Sequence, residues 1–498
     1  MSGQGQPAAS GMRRGRDLTQ GPITRTLLVF SLPVLGGNAL QSLNGSVNQF
    51  WVSHSLGITA ITAIGNANIV MMLMLGAIFG ISMAANILVG QSVGAGDVRQ
   101  VKKVMGTAIT FFAVLALGVA AIGYRLSPHI LGLMGTPTEA LPEAETYLRI
   151  VFLAMPFLYF FAFLQMAQRG IGDSRTPFYF MLLAVVLDII LNPMLIRGLG
   201  PFPKLDIAGS AFSTLIGQGT SLLFLVVLLY RRGSPLMLRP SEFHLLKPDP
   251  AILKALVLRG LPMGLQILVM SGAAMVMIGY VNSYGAVTAA AYTAASQVWT
   301  YIQMPAMAVG AAVSSMAAQN VGVQKWDRVG KIARSGVLSG LAVTGAVAAT
   351  IYLLGDTTLH IFLPPGSPAL PVARHINTMV LWSFVLFSVT FALSGVVRST
   401  GAVWPPLLIL VVAMFLIRIP FAELLIPHLG AEAIWWSFPL GTLTSSILTA
   451  LYYRYGNWRK TQLIPPERPQ ANSADAGMAT PAVVGCDRSL KTEAHAGG

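Results

Sequence analysis

The sequence has very little charge. Only 10% of its 498 residues are Asp, Glu, Lys or Arg, and 54% are hydrophobic, whereas a soluble domain carries about 25% charged residues. With a mean hydropathy of +0.67, the chain cannot hide its apolar residues in one aqueous core. These values exclude a soluble protein and predict an all-α polytopic protein of the lipid bilayer, because helices satisfy their own backbone hydrogen bonds there.

Other absences remove further classes of protein. The single cysteine, Cys486, allows no disulfide within the chain. Neither a phosphate-binding G-x-x-x-x-G-K-[ST] loop nor an H-E-x-x-H motif occurs, so we expect no ATP motor, no metal centre, no cofactor and no enzymatic activity. The first apolar run is too long for a cleavable signal.

Apolar runs of membrane-spanning length follow one another along the chain, and we expect about twelve spans. They lie near 25–52, 59–90, 104–124, 147–168, 178–197, 207–230, 256–283, 289–318, 333–354, 376–397, 404–426 and 432–453. The net charge of +14 comes from Lys and Arg gathered in the loops after even-numbered spans. This alternation predicts a multi-pass plasma-membrane protein with both termini cytoplasmic, and no nucleic-acid partner.

The two halves of the sequence resemble each other at one offset. Gln91 and Gln319 are 228 residues apart, and Arg169 matches Arg398 at 229. The offset also pairs Pro33 with Pro262 at 229 and Gly57 with Gly285 at 228. An even number of spans in each half predicts two six-helix lobes related by an axis along the membrane normal.

The expected units are a disordered basic N-terminus (1–22), a first lobe (23–230), a cytoplasmic linker (231–250), a second lobe (251–457) and a disordered cytoplasmic tail (458–498).

A polar stripe crosses the first span, and one acid lies inside the fifth. Gln41, Asn44 and Asn48 share a helix face, while Asp188 and Asn192 are one turn apart. A carboxylate at membrane depth is costly unless it is used, so these five residues form a candidate ion-coupling site for H+ or for Na+ at Asp188. The alternative for the amides is interhelical hydrogen bonding without a transport role.

Two more groups of residues are candidates for substrate binding and for gating. Aromatic rings suit flat organic cations, and methionine adapts to varied ligands. The candidate substrate residues are Tyr159, Phe160, Gln165, Met270 and Phe387. Packing between helices or against lipid is the alternative for the rings. Arg169, Asp173 and Arg398 lie at cytoplasmic helix ends, where we expect them to orient short loops and latch a closed state.

Several segments together resemble the multidrug and toxic compound extrusion (MATE) family of antiporters over about residues 25–455. They include NQFWVSHSLGITAITAIGNA (48–67), LVGQSVGAGD (88–97), RGIGDSRTP (169–177), DIILNPMLIRGLG (188–200) and GVVRSTG (395–401). Asn48 stands where many members carry an Asp, and Asp188 with Asn192 reverses the usual Asn–Asp order. No acid stands near Gln266, where some members carry a Glu. The pattern is closest to the DNA-damage-inducible branch.

The resemblance implies a secondary active antiporter. Such a protein exports amphipathic organic cations or drugs in exchange for H+ or Na+ by alternating access, and we expect it to act as a monomer. A flippase for a lipid-linked glycan, which shares the superfamily architecture, is the alternative. Flippases of that kind have cationic cavities, whereas Asp188 is the only deeply placed acid and cations within the spans are scarce.

Overall fold

The computed structural model describes residues 16–56 and 58–461 and, within them, all side chains except those of residues 53, 56, 58–63 and 66. In this part of the chain each predicted span corresponds to one long helical stretch, so the expected twelve spans are confirmed. The helices are α1 (Ile23–Leu56), α2 (Ile58–Gly94), α3 (Val98–Leu133), α4 (Leu141–Gly170), α5 (Arg175–Arg197), α6 (Asp206–Arg231), α7 (Pro250–Asn282), α8 (Ala286–Gly322), α9 (Trp326–Leu354), the short α10 (Asp356–His360), α11 (Ala369–Ser399), α12 (Trp404–Val411), α13 (Ile419–Leu429) and α14 (Ala431–Tyr455). A π-helical stretch, Val412–Arg418, joins α12 to α13 into one span.

Ten of the described helical stretches are long and apolar enough to cross a bilayer by themselves. The other two long helices, α8 and α14, are rich in Ala, Ser and Thr, which lowers their hydropathy. Small residues let helix backbones approach closely in a membrane. Accordingly, α8 is buried along most of its length and packs against helices of both halves.

Helix ends extend beyond the predicted spans because polar residues continue the helices into the headgroup region. The run predicted at 104–124, for example, belongs to the helix Val98–Leu133. Asp97 caps that helix by accepting a hydrogen bond from the Gln100 N–H at 2.8 Å. Asp249 caps α7 in the same way, through the N–H groups of Ala251 and Ile252.

The two halves cross each other where α2 and α8 end, and equivalent residues make equivalent contacts there. The Gln91 side chain donates to the Ser399 carbonyl at 2.6 Å. The Gln319 side chain donates to the Gly170 carbonyl at 2.8 Å. Since Ser399 and Gly170 are themselves 229 residues apart, one interaction occurs twice, as a two-fold axis along the membrane normal requires. This confirms the predicted parallel repeat, and we call this face the closed end.

Glycines permit the crossing at the closed end. A Cβ on Gly94 would lie 2.0 Å from a backbone oxygen of α8, and one on Gly322 would lie 2.1 Å from a backbone oxygen of α2. Further in along the same helices, a Cβ on Gly90 would lie 3.0 Å from the side chain of Ala318, its repeat mate at 228 residues, and Asn86 donates to Ser315 at 3.3 Å. The pseudo-two-fold axis therefore passes between α2 and α8.

Both ends of the described chain are packed where the sequence predicted disorder. Leu18 is fully buried, its N–H donates to Gln319 Oε1 at 3.0 Å, and its carbonyl accepts from Asn320 at 3.1 Å. Trp458 is also buried and stacks on Tyr453. The prediction of disorder is therefore wrong for residues 16–22 and 458–461. Single apolar side chains are buried there, and the polar, aperiodic sequence around them gives no sign of that burial. The rest of both predicted segments, with Cys486, lies outside the described residues, as does Gly57.

The predicted linker forms a strap across α3. It includes a 3₁₀ helix, Pro240–Leu246, and its Glu242 forms an ion pair with Lys102. Thr110 donates to the Leu246 carbonyl at 2.7 Å. The Lys102 ammonium, through its hydrogen bond, and then the Arg239 backbone N–H hold the pKa of the Glu242 carboxyl below its usual value.

Candidate functional site

Asp188 lies on α5 in the interior of the first half and is only 3% exposed. Its Oδ1 accepts a hydrogen bond from Ser213 at 2.5 Å and a longer one from Thr214 at 3.4 Å, both from α6. Asn44, from α1, also hydrogen-bonds this carboxyl. Its Oδ2 is buried with no hydrogen-bond partner among the described residues. Its hydrogen-bond donors among the described residues are all neutral, and one of its two oxygens accepts no hydrogen bond from them.

A glycine places Ser213 beside this acid. Gly217 lies one turn further along α6, and a Cβ there would be 2.9 Å from the Ala184 carbonyl of α5. The two backbones can approach that closely only because Gly217 has no side chain. The short distance brings the hydroxyls of α6 within reach of α5.

A second network, one helical turn away, joins the amide stripe to the same helices. Asn48 Oδ1 accepts from Asn192 at 2.9 Å and from Ser210 at 2.7 Å. The buried Tyr147 hydroxyl of α4 hydrogen-bonds the same pair, Asn48 and Ser210. Asn192 Oδ1 is buried without a partner among the described residues. Asn44, Asn48, Asp188 and Asn192, predicted from the sequence to act together, are thus brought together.

A cavity of about 490 Å³ lies in front of these networks, between α1, α2, α4, α5 and α6. The predicted stripe of Gln41, Asn44 and Asn48 forms one side of it. Asp188 is not on its wall, although its hydrogen-bond donors Asn44 and Thr214 are. The acid is therefore one side chain behind the cavity surface. Exposed lining residues such as Gln49 and Asn68 lie toward the end opposite to the closed end.

One of the five predicted substrate residues lines the cavity, and the other four do not. Gln165 lines the cavity. Tyr159 is 1% exposed, and neither it nor Phe160 is on the cavity wall. Met270 and Phe387 belong to the second half, where Met270 packs beside Ala273 and Phe387 packs edge-on to Phe391. Roles for these four in substrate binding remain predictions that the cavity does not support.

The three predicted gating residues have different surroundings. Asp173 caps α5 by accepting from the Arg175 and Thr176 N–H groups, each at 3.0 Å. Arg398 donates to Gln266 at 3.1 Å. Arg169, its repeat mate, lines the cavity, and its one hydrogen-bond acceptor among the described residues is the Met166 sulfur at 3.8 Å. The structure therefore contains no Arg169–Asp173 ion pair.

Sequence reasoning missed the α6 and α4 partners of the acid: Tyr147, Ser210, Ser213 and Thr214. Ser and Thr are common in membrane helices, and a lone Tyr does not stand out. The available signal was the spacing of Ser210, Ser213, Thr214 and Gly217 on one face of α6. That face could have been paired with Asp188, because α5 and α6 are joined by a short loop.

Comparison with known proteins gives one family. The MatE family model matches residues 33–194 and 262–424. The chain is 34% identical over 443 residues to the probable multidrug resistance protein YoeA of Bacillus subtilis, covering 89% of this chain and 95% of that one. It is 32% identical to the probable multidrug resistance protein YpnP of the same organism, covering 90% of this chain and 98% of that one.

Solved structures share the fold. An outward-facing multidrug resistance MATE family transporter of the MOP superfamily aligns with a TM-score of 0.82 at 21% identity, covering 90% of this chain and 98% of that one. The Vibrio cholerae MATE transporter VcmN in its bent form aligns with a TM-score of 0.81 at 18% identity, covering 88% of this chain and 98% of that one. At these identities the likeness concerns the fold alone.

The second half carries the opposite charge at the position equivalent to Asp188. The two matched segments begin 229 residues apart and end 230 apart, and the π-helical stretch before Arg418 accommodates the extra residue. Arg418 therefore corresponds to Asp188. It is buried, its guanidinium lies 3.5 Å from the centre of the Phe438 ring, and no ion pair of Arg418 occurs among the described residues. The two halves share a fold, but at this pair of positions the first half has a carboxyl and the second has a guanidinium.

Proposed function

The chain belongs to the MatE family of transporters, and from this premise we propose that it is a secondary active exporter of amphipathic organic compounds, driven by ion entry at Asp188. The chain is a multi-pass membrane protein, and the relatives named as multidrug resistance proteins support drug-like substrates. The observation that carries the proposal is a buried acid with an unpartnered oxygen, one side chain behind a cavity.

We propose that the coupling ion is H+. A buried carboxylate surrounded only by neutral groups needs a neutralising partner, because an unpaired charge at membrane depth is expensive. Sodium would require several oxygen ligands at once. Asn48 Oδ1 already accepts two hydrogen bonds, and the buried oxygens of these networks that have no partner among the described residues are Asp188 Oδ2 and Asn192 Oδ1. A proton needs only one.

Alternating access is supported by the contrast between the two ends of the first half. The closed end is held by the paired glutamines and by residues 16–21, whose backbone carbonyls accept from Lys325 and Arg328. The excess of Lys and Arg in the loops after even-numbered spans supports a cytoplasmic location for this end and for both termini. The structure then corresponds to an outward-facing state of a plasma-membrane monomer. A glycan flippase is less well supported, since the described cavity wall has one guanidinium, Arg169.

The test is transport in proteoliposomes with pH and Na+ gradients imposed separately. Asp188→Asn keeps the size of the side chain and most of its hydrogen bonds but cannot exchange a proton. We expect it to abolish dye export driven by a pH gradient while dye binding persists. Asp173→Asn is the matched control, because asparagine also caps helices well and the residue lies outside the proposed site.

Two results would contradict the proposal. Unchanged pH-driven export in Asp188→Asn would remove the acid from the coupling mechanism. Export that follows a Na+ gradient at clamped pH would replace H+ by Na+ as the coupling ion.

A further inference from the structure

We propose that the cavity selects amphiphiles that carry an oxyanion, such as a carboxylate, on a hydrogen-bonding body, and that Arg169 receives that oxyanion. This inference rests on the proposed export function and names its substrate class. It predicts that compounds with an oxyanion are better substrates than permanent cations.

The first support is the chemistry of the wall. Eight amide side chains line the cavity: Asn38, Gln41, Asn44, Asn48, Gln49, Asn68, Gln165 and Gln218. Of the described residues on the wall none is acidic, and one, Arg169, is cationic. Amides both donate and accept hydrogen bonds and carry no net charge. The wall therefore suits carbonyls, amides and hydroxyls and offers a permanent cation no counter-charge.

The second support is the isolation of Arg169. Arg169 is only 8% exposed, and among the described residues its Nε has no hydrogen-bond partner and its guanidinium donates only to a methionine sulfur. A guanidinium has five N–H donors in a fork that matches a carboxylate or phosphate. Burying it with its donors unused is costly, and an oxyanion bound in the cavity removes that cost.

Comparison with the second half explains why no amide side chain among the described residues accepts a hydrogen bond from Arg169. Its mate, Arg398, donates to Gln266 at 3.1 Å. The residue 229 positions before Gln266 is Gly37, which has no side chain to offer. The guanidinium of Arg398 therefore has an amide partner inside the second half, whereas the equivalent guanidinium of Arg169 has none among the described residues beside the cavity of the first half.

The third support is the distance between the two charges. Arg169 is at the last turn of α4, by the closed end, whereas Asp188 lies thirteen residues into α5. At 1.5 Å per residue this places the acid about 20 Å deeper along the membrane normal. A compound bound near Arg169 can therefore contact the guanidinium without contacting the Asp188 carboxyl. At this distance the Arg169 and Asp188 side chains form no ion pair with each other.

The test uses two dyes that differ only in one group. A xanthene dye with a free benzoate is a zwitterion, and its methyl ester is a permanent cation. Binding to the full-length protein in detergent is measured by fluorescence anisotropy, and export is measured in proteoliposomes. We expect the acid to bind about tenfold more tightly than the ester, since a charge-assisted bidentate pair is available only to the acid. Equal binding, or tighter binding of the ester, in the wild-type protein would overturn the inference.

Variants locate the effect. Arg169→Gln should remove the preference for the acid and leave the ester unchanged, and Arg169→Lys should keep part of the preference. Arg398→Gln, the repeat-equivalent control, should keep it in full. If Arg169→Gln does not fold, Gly37→Gln decides, because it supplies the missing amide and should weaken binding of the acid. Its Cβ would lie 3.1 Å from the flexible Met181 sulfur. An acid preference that survives Gly37→Gln or Arg169→Gln would exclude Arg169 as its cause.

Failure of this inference can be told apart from failure of the proposed function. Export that depends on Asp188 but favours the ester would refute the substrate class alone. A tenfold acid preference in a protein whose export ignores both ion gradients would refute the coupling alone.

Discussion

Removing the Gln319 side chain should shift the protein toward a state that is open at the closed end. Gln319 is 1% exposed and makes two hydrogen bonds there, to the Gly170 carbonyl at 2.8 Å and from the Leu18 N–H at 3.0 Å. Each is worth about 1 kcal/mol net. We expect both to break when the closed end opens, so Gln319→Ala should change the ratio of closed to open molecules by about 2 kcal/mol, or roughly 30-fold.

The repeat provides a graded comparison. Gln91 makes one hydrogen bond at the crossing, to the Ser399 carbonyl, in a partly buried position. Gln91→Ala should therefore shift the ratio by about 1 kcal/mol, or about fivefold. Gln324→Ala is the control, because this exposed glutamine at the same end hydrogen-bonds only within its own loop and to Trp326.

Double electron–electron resonance measures the shift directly. Spin labels at Arg99 and Asp327, exposed repeat mates that begin α3 and α9, report the separation of the halves in a Cys486→Ser background. We expect one short distance in the wild-type protein, a second longer one in Gln319→Ala, and a smaller long-distance fraction in Gln91→Ala. A distance distribution in Gln319→Ala that matches the control would refute the role of the crossing in closure.

Three further predictions concern the site and the strap. Ser213→Ala should slow pH-driven export about tenfold without changing dye binding, because it removes the 2.5 Å hydrogen bond to Asp188; proteoliposome flux checks this. Gly217→Val should lower the free energy of unfolding by about 1–3 kcal/mol, since its Cβ would overlap a carbonyl of α5, and detergent melting curves measure it. The pKa of Glu242 is lowered in the folded state by Lys102, so its stabilisation exists above the unfolded pKa and disappears as pH falls through the folded one. Glu242→Gln should therefore cost less than about 1 kcal/mol near neutral pH and nothing in acid, and equal loss at both pH values would contradict the assignment.

The helices were predictable because hydrocarbon imposes a length and an apolar composition on every span. The repeat was predictable because matched glycines and glutamines recur at one offset. The ends of the described chain were not, since the burial of Leu18 depends on a groove formed by residues 300 positions away. Sequence spacing along one helix carries no such information.

The candidate site was predictable only in part, for a related reason. The stripe and Asp188 stand out because polar groups are rare at membrane depth. The hydroxyl of Ser213 does not stand out, and its contact depends on the absence of a side chain at Gly217. The isolation of Arg169 depends on another missing side chain, at Gly37. A glycine is visible in the sequence, but the group that its missing side chain leaves without a partner is not, so the isolation of Arg169 required the structure.

The two halves carry the same residues at the closed end but different residues at the position of Asp188. Where the halves touch each other, Gln91 and Gln319 are the same residue in both copies and make equivalent hydrogen bonds. Inside each half the residues differ: Asp188 lies one side chain behind a cavity, while Arg418 lies on an aromatic ring. In the mechanism that we propose, both halves close one end and the first half alone holds the ion. Exchange of charge inside the second half is thus compatible with the fold, and loss of either glutamine at the crossing is not neutral.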